Sequence, residues 1–292
     1  MAHIQGEERP LTLADGRELF VLELPGPDPD PDAVTVVFEC GAATTRSSWA
    51  LVQPEVGRFA RAVVYDRSGL GRSAADPRGR TLSRMADDLA DLTDRYPGPL
   101  ILVGHSAGGP IARLAASRRP GRVKGLVLVD PTDEGADSLF GTAFRRAERV
   151  LTTIGPLIAR TGLQRSLFRR DGVSLPPDAR ADFFADGLAP NVFRTQAEQA
   201  RTFLDELQTW REAPPDTGDA AVTVVCGALP GDGMNRALRA EANAANEARA
   251  AASPNGRFVL APRSAHKPPL TDPDVVALAI EEMVSLVNSR PA

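Results

Sequence analysis

Short apolar runs and helical patterns alternate along the first half and the last quarter of the chain. The apolar runs are rich in valine, leucine and isoleucine, a composition typical of strands that are buried on both faces. Between them, apolar residues recur at helical spacing, as Leu82, Met85 and Leu89 do. Strands that alternate with helices predict a mostly parallel sheet with helices on both faces. The strand candidates are residues 33–38, 61–65, 100–103, 123–129, 221–226 and 257–260.

Two regions depart from this alternation. Near the N-terminus, Asp15-Gly16 separates two short apolar stretches and predicts a β-hairpin within residues 10–25. Between Thr132 and about Pro215 the strand patterns disappear, and apolar residues recur only at helical spacing. Apolar stripes of this kind more often pack against a core than contact a substrate. No repeat or linker indicates a second independent domain.

One apolar run ends in Gly104-His105-Ser106-Ala107-Gly108, and a segment of helical character follows at once. A strand, a sharp turn and a helix in this order place the serine in a cramped backbone geometry, which leaves no room for side chains at Gly104 and Gly108. Ser106 would then be exposed at a helix start, where free N–H groups and the helix dipole favour a developing negative charge. Ser106 is therefore a candidate nucleophile. The alternative is that Ser106 only caps the helix.

A serine hydroxyl is a weak nucleophile at neutral pH and needs a neighbouring base, most often an imidazole. The chain has three histidines. His3 lies near the N-terminus, and the side chain of His105 should point away from that of Ser106. His266 remains by elimination. It follows the last strand candidate, at the edge where open α/β sheets place their active sites, so we expect His266 to be the base.

Composition and charge exclude several other classes of protein. The net charge is −4, with 38 acidic and 34 basic residues, and no basic tract offsets the acids, which argues against a nucleic-acid partner. The N-terminus does not resemble a leader, and no stretch approaches the roughly 18 apolar residues of a membrane span. We therefore expect a cytoplasmic protein with no membrane partner. Cys40 and Cys226 lie in separate apolar segments and should be buried free thiols rather than a disulfide or a metal site.

Five segments, in order, resemble those of the α/β-hydrolase superfamily. They are Cys40-Gly41-Ala42 after a strand, the stretch from Tyr65 to Ser73, the turn around Ser106, the strand end Asp130-Pro131, and Ser264-Ala265-His266. The resemblance implies an α/β-hydrolase fold, with a mostly parallel, twisted sheet of about eight strands, helices on both faces and a helical cap inserted after the sixth strand. Residues 133–215 would form this cap, or lid, and residues 1–132 and 216–292 the core.

Four residues are candidates for the acid of a Ser-His-acid triad. In this fold the chain order is serine, acid, histidine. We favour Asp130, at the end of the strand next to the serine's strand, because some superfamily members take their acid from that position. Asp232 is the main alternative, because in relatives the acid usually follows the strand that corresponds to residues 221–226 here. Asp232 lies further beyond that strand, so a longer loop is needed for it to reach the imidazole. Asp133 and Glu134 are the remaining candidates.

The resemblance also implies that the backbone N–H groups of Ala42 and Ala107 form an oxyanion hole. We expect a serine hydrolase that cleaves a carboxylic ester, lactone or thioester through Ser106, His266 and Asp130. A capped, largely apolar cavity favours a small or medium hydrophobic substrate over a polymer. A nucleophilic serine argues against dehalogenase and epoxide-hydrolase chemistry, which need a carboxylate nucleophile. No metal or organic cofactor is expected, and the protein should be a monomer or a homodimer.

Two alternatives stay open on the sequence. The same triad could cleave an amide or C–C bond, or transfer the acyl group to an acceptor other than water. The fold could also serve as a ligand-binding receptor without efficient turnover, because receptors can retain Ser106 and His266.

Overall fold

The structure is a computed structural model and describes residues 3–253 and 255–289. Ten strands are found in this part of the chain. They are β1 (Glu7–Glu8), β2 (Leu11–Thr12), β3 (Glu18–Leu19), β4 (Val21–Leu24), β5 (Thr35–Glu39), β6 (Arg61–Tyr65), β7 (Leu100–His105), β8 (Val123–Val129), β9 (Ala221–Gly227) and β10 (Arg257–Ala261).

Twelve α-helices are found in the same residues, together with 3-10 turns at Arg46–Trp49 and Asp137–Phe140 and a π-helical turn at Phe183–Gly187. The helices are α1 (Gln53–Val56), α2 (Leu82–Thr93), α3 (Gly108–Ser117), α4 (Thr142–Thr161), α5 (Gln164–Leu167), α6 (Arg169–Val173), α7 (Pro177–Asp182), α8 (Pro190–Gln199), α9 (Phe203–Thr209), α10 (Arg236–Ala251), α11 (Pro268–Thr271) and α12 (Pro273–Ser289).

Eight strands form one sheet in the order β1-β4-β6-β5-β7-β8-β9-β10. The pairs β1–β4 and β4–β6 are antiparallel, and all following pairs are parallel. The predicted fold class, a mostly parallel sheet of about eight strands, is confirmed. Because β7 lies in the interior of this parallel region, the residues that follow it emerge at the carboxyl edge between two neighbouring strands.

Helices cover both faces of the sheet, as predicted. Successive residues of β7 point to opposite faces, so Leu100 and Leu102 belong to one core and Ile101 and Val103 to the other. The first core is closed by α2, α3 and α9, and the second by α1 and α12. Burial on both faces explains why the sheet strands read as continuous apolar runs rather than as an alternation.

The predicted hairpin is smaller in the structure than in the prediction. Only β2 and β3 pair with each other around the Asp15-Gly16 turn, whereas β4 joins the large sheet and pairs with β6. The reason is that Val21 packs into one core and Leu22 into the other. Consecutive apolar residues need a strand that is covered on both faces, and an isolated hairpin does not provide one.

The chain between β8 and β9 contains no strand, and its regular elements are α4 to α9, one 3-10 turn and one π-helical turn. It follows the sixth strand of the large sheet, where an insertion was expected. The exact division into a cap at 133–215 and a core on either side stays a prediction. The expectation that its apolar stripes pack inward is wrong for α4, since Leu151 and Leu157 on this helix are 69% and 57% exposed.

Both cysteines are free and buried, as the sequence predicted. Burial raises the pKa of the Cys40 thiol to about 12, so this thiol is uncharged at neutral pH. Among the described residues, no helix combines the length and the apolar character needed to cross a membrane.

Leu102 tests the placement of the core. Its side chain is fully buried in the middle of β7, and truncation to alanine would leave a cavity. We expect Leu102→Ala to lower the free energy of unfolding by about 2–5 kcal/mol, measured by urea denaturation. The control is Leu278→Ala on α12, where the side chain is 54% exposed and the change should stay below about 0.5 kcal/mol. Equal losses in the two variants would contradict this placement.

Candidate active site

Ser106 lies in the tight turn between β7 and α3, and its backbone is left-handed, with φ at +54°. Two glycines make this turn possible. A Cβ on Gly104 would lie 2.4 Å from the carbonyl oxygen of Gly108, and one on Gly108 would lie 2.6 Å from the carbonyl oxygen of Cys40. Ser106 does not cap α3, whose first position has no side-chain cap. Its hydroxyl is instead directed to another part of the chain.

The Ser106 hydroxyl contacts His266. This histidine lies in the loop between β10 and α11, and its Nε2 is 2.9 Å from Ser106 Oγ. Its Nδ1 is 2.5 Å from Oδ2 of Asp130. Because a carboxylate can only accept, Nδ1 carries the proton and Nε2 accepts the hydrogen bond from the Ser106 hydroxyl. The structure therefore brings together the three residues that the sequence analysis favoured.

Asp130 follows β8 directly, is 3% exposed and also has a left-handed backbone, with φ at +42°. The sequence analysis missed its partner, Arg239 on α10, whose guanidinium donates to Oδ1 at 2.5 Å and to Oδ2 at 3.0 Å. Burial alone would raise the pKa of this carboxyl, but the hydrogen bond to His266 and the charge of Arg239 lower it to about 2. Asp130 is therefore ionised at neutral pH.

The other acid candidates lie elsewhere. Asp232 is exposed, and its Oδ2 accepts a hydrogen bond from the backbone N–H of His266 at 3.2 Å rather than from the imidazole. Asp133 and Glu134 are buried and pair with arginines, Glu134 with Arg113 at 2.7 Å. Among the described residues, Asp130 is thus the carboxylate that contacts the His266 ring.

His105 supports the loop that carries His266. The His105 ring is buried, and its Nε2 donates to the carbonyl oxygen of His266 at 2.8 Å. Burial, together with the nearby His266, lowers the pKa of His105 to about 4. The ring is therefore neutral at physiological pH and keeps the donating tautomer without adding a charge beside Ser106.

Two backbone N–H groups lie near Ser106, that of Ala42 in the loop after β5 and that of Ala107 in the turn before α3. Within the described residues, neither the N–H of Ala42 nor that of Ala107 donates a hydrogen bond to the protein. Arg67 turns the preceding carbonyls away, because its Nη1 donates to the Cys40 oxygen at 2.5 Å and its Nη2 to the Gly41 oxygen at 2.6 Å. This loop geometry leaves the N–H of Ala42 free.

Arg67 is itself held by a buried carboxylate. The guanidinium and the Tyr65 hydroxyl both donate to Glu39, and all three residues are shielded from solvent. Burial raises the pKa of Glu39 above its usual range, and the adjacent guanidinium offsets only part of this shift. The pairing of Arg67 with Glu39 was not predictable from the sequence, since the two residues are separated by 28 positions and nothing local connects them.

A cavity of about 240 Å³ lies above Ser106 and His266. Its walls are mostly apolar, and the helical segment between β8 and β9 supplies most of the large apolar side chains. The large apolar side chains that line it are Phe168, Leu175, Phe183, Leu188, Phe193 and Leu270.

Two ion pairs tie this helical segment to the rest of the molecule around the cavity. Lys267, next to His266, reaches Asp171 on α6 at 2.8 Å. Arg46 is fully buried and joins Asp66 at 2.5 Å to Asp182 at 2.6 Å. Both pairs fix the position of the helical segment relative to the carboxyl ends of the strands. Among the described residues, no group of three or more histidine, cysteine, aspartate or glutamate side chains could hold a metal ion.

Sequence comparisons identify relatives. A model of the "Alpha/beta hydrolase family" matches residues 36–279. The Bacillus subtilis protein YqjL is 33% identical over 101 residues, which are 34% of this chain and 40% of YqjL. A non-heme chloroperoxidase of Streptomyces lividans is 33% identical over 122 residues, 41% of this chain and 43% of that protein. The chain thus spans less than half the length of the curated relatives it matches.

Structural comparison agrees over nearly the whole chain. A thermophilic esterase from Thermogutta terrifontis is 24% identical and superimposes with a TM-score of 0.65, over 97% of this chain and 100% of the esterase. At this level of identity the likeness concerns the fold alone. The match to the family model covers most of the sequence, and the chain therefore belongs to the alpha/beta hydrolase family.

Proposed function

We propose that the protein is a serine hydrolase that cleaves the carboxylic ester of a small to medium hydrophobic substrate. Ser106 is the nucleophile, His266 the general base and acid, and Asp130 the residue that orients the imidazole. The observation that carries this proposal is the unbroken hydrogen-bond chain from Ser106 Oγ through His266 to Asp130, with distances of 2.9 Å and 2.5 Å.

In the first half-reaction, Nε2 of His266 removes the hydroxyl proton as Ser106 Oγ attacks the ester carbonyl carbon. The negative charge that develops on the carbonyl oxygen is stabilised by the free N–H groups of Ala42 and Ala107 and by the N-terminus of α3. The imidazolium then gives its proton to the alkoxy oxygen. The C–O bond breaks, the alcohol leaves, and Ser106 remains acylated.

In the second half-reaction, His266 takes a proton from water as the water oxygen attacks the acyl carbon. The same oxyanion hole holds the second tetrahedral intermediate. Its collapse returns the proton to Ser106 Oγ and releases the carboxylic acid. Asp130 stays ionised throughout, because its pKa of about 2 lies far below that of an imidazolium, and it stabilises the positive charge on His266.

The size and lining of the cavity favour a hydrophobic acyl or alcohol group of modest length. A volume of about 240 Å³ with walls such as Phe168, Phe183 and Phe193 excludes polymers and buries apolar atoms. The charged side chains at its rim, Lys267 and Asp171, neutralise each other.

A fluorophosphonate probe tests for an activated serine. We expect the probe to label the wild-type protein and not Ser106→Ala, because only a deprotonated hydroxyl displaces the fluoride. Ser48→Ala is the matched control: Ser48 lines the same cavity, but its hydroxyl donates to the Thr45 carbonyl oxygen, so labelling should persist. A wild-type protein that is not labelled would support the ligand-binding alternative and contradict this proposal.

The acid is tested by paired substitutions. We expect Asp130→Asn to reduce kcat for p-nitrophenyl butyrate by about 10⁴-fold, because an amide in this position favours the wrong imidazole tautomer. Asp232→Asn should cost less than about tenfold, because it alters the hydrogen bond from the His266 backbone N–H and the ion pair with Lys267 at 3.3 Å, but no contact with the imidazole. The opposite ranking would assign the acid to Asp232.

Arg67 tests the positioning of the oxyanion hole. We expect Arg67→Lys to lower kcat by about 10- to 100-fold with KM changed less than threefold. The single ammonium nitrogen does not reproduce the planar geometry in which Nη1 and Nη2 each hold one carbonyl, so the position of the Ala42 N–H would shift. The thermal midpoint measures any loss of fold, and Arg80→Lys, another buried arginine, is the control for burial alone. Equal loss in both variants would show that Arg67 has no specific role in this loop.

A further inference from the structure

Large apolar side chains are exposed along one part of the helical segment. Of the twelve large hydrophobic residues that are exposed in the described part of the chain, eight lie between Phe144 and Val173. Leu151 is the most exposed of them, at 69%. We name the central six the apolar face. It consists of Val150, Leu151, Ile154, Leu157, Leu163 and Leu167.

The apolar face points away from the protein. On α4, residues 150, 151, 154 and 157 follow the three- and four-residue spacing of one side of a helix. The opposite side carries the buried Ala159 and Gly155, which lies against Phe193 of α8. The helix is therefore amphipathic in the ordinary sense, but its apolar side has no cover among the described residues.

Positive charge surrounds this face. Residues 142–173 contain seven arginines and only two acidic residues, in a chain whose net charge is −4. Arg145 pairs with Asp205, and the acidic Asp171 pairs with Lys267. Within the described residues, the remaining six arginines have no carboxylate within ion-pair distance. They are Arg146, Arg149, Arg160, Arg165, Arg169 and Arg170.

The face also adjoins a wall of the cavity. Phe168 and Asp171 line the cavity, while their neighbours Leu167 and Arg170 are exposed on the outside. A surface that covered the apolar face would therefore lie against the outside of the helices that line the cavity above Ser106.

We infer that α4 to α6 dock this protein on an anionic lipid surface, with the apolar face inserted among the acyl chains and the arginines bonded to phosphate groups. A basic helix with an exposed apolar side has the composition of an interfacial helix. A second copy of the chain fits less well, because apposing the two faces would bring twelve unpaired arginines together. The docking does not require the chemistry of Ser106.

Flotation with lipid vesicles tests the inference. We expect the wild-type protein to float with vesicles of phosphatidylcholine and phosphatidylglycerol mixed about three to one, and not with phosphatidylcholine alone. Leu151→Asp/Leu157→Asp should weaken binding at least about tenfold, because two exposed leucines that would insert among the acyl chains are lost. Arg165→Gln/Arg169→Gln should weaken it about 25-fold, at about fivefold for each arginine, and high salt should act in the same direction.

Matched controls lie outside the face. Leu278→Asp on α12 and Arg58→Gln, two residues after the end of α1, change exposed residues and should bind as the wild type does. Ser106→Ala should also bind normally, which separates this inference from the hydrolase proposal. Absence of wild-type flotation at low salt, or unchanged binding by the double aspartate variant, would overturn it. So would a wild-type dimer that the same variant makes monomeric, since a second copy would then cover the face.

Discussion

The site depends on the register of three parallel strands. His105 at the end of β7 is opposite Val129 in β8, and Val129 is opposite Val225 in β9. Ser106 and Asp130 each lie one residue beyond this row, and both turn into the left-handed region. Their backbone N–H groups remain tied to the next strand, Ser106 to the Val129 carbonyl at 3.1 Å and Asp130 to the Val225 carbonyl at 2.7 Å. Left-handed backbone costs about 1–3 kcal/mol for each such residue, and these hydrogen bonds between the strands offset that cost.

Buried ion pairs then set the orientation of groups that the strands only bring close. Arg239 holds both oxygens of Asp130, so the carboxylate cannot rotate away from His266. Arg67, held by Glu39, fixes the carbonyls beside Ala42. Such pairs add little net stability, since desolvation offsets most of their attraction, but removal of one partner leaves a buried charge. Their contribution here is to geometry: each pair anchors one component of the proposed catalytic machinery to the sheet.

The parts that were predictable from the sequence are those with local signals. Strand β7, the turn at Ser106 and helix α3 follow from apolar content and glycine spacing within about twenty residues. Asp130 was favoured over Asp232 but not separated from it, because the difference depends on how far the loop after β9 extends, and no local pattern encodes that. The pairing of Arg239 with Asp130 was not predictable either, because the two residues are 109 positions apart and no local pattern connects them. The β-hairpin was overestimated because the continuous apolar run at residues 19–22 does not indicate which elements will cover its two sides.

Helix α4 shows a different limit. Its periodicity correctly indicates a helix with one apolar side. An amphipathic pattern does not specify, however, whether that side packs against the rest of the chain, which is the most common case, or against another apolar surface. The net charge of the whole chain misleads in a similar way, because 36 of the 38 acidic residues lie elsewhere and conceal the arginine-rich stretch at 142–173. Electrostatic attraction acts over about one Debye length, roughly 10 Å. A binding partner therefore responds to the charge near its contact site rather than to the net charge of the whole chain. Burial and charge therefore have to be considered together, residue by residue, before a partner is excluded on composition.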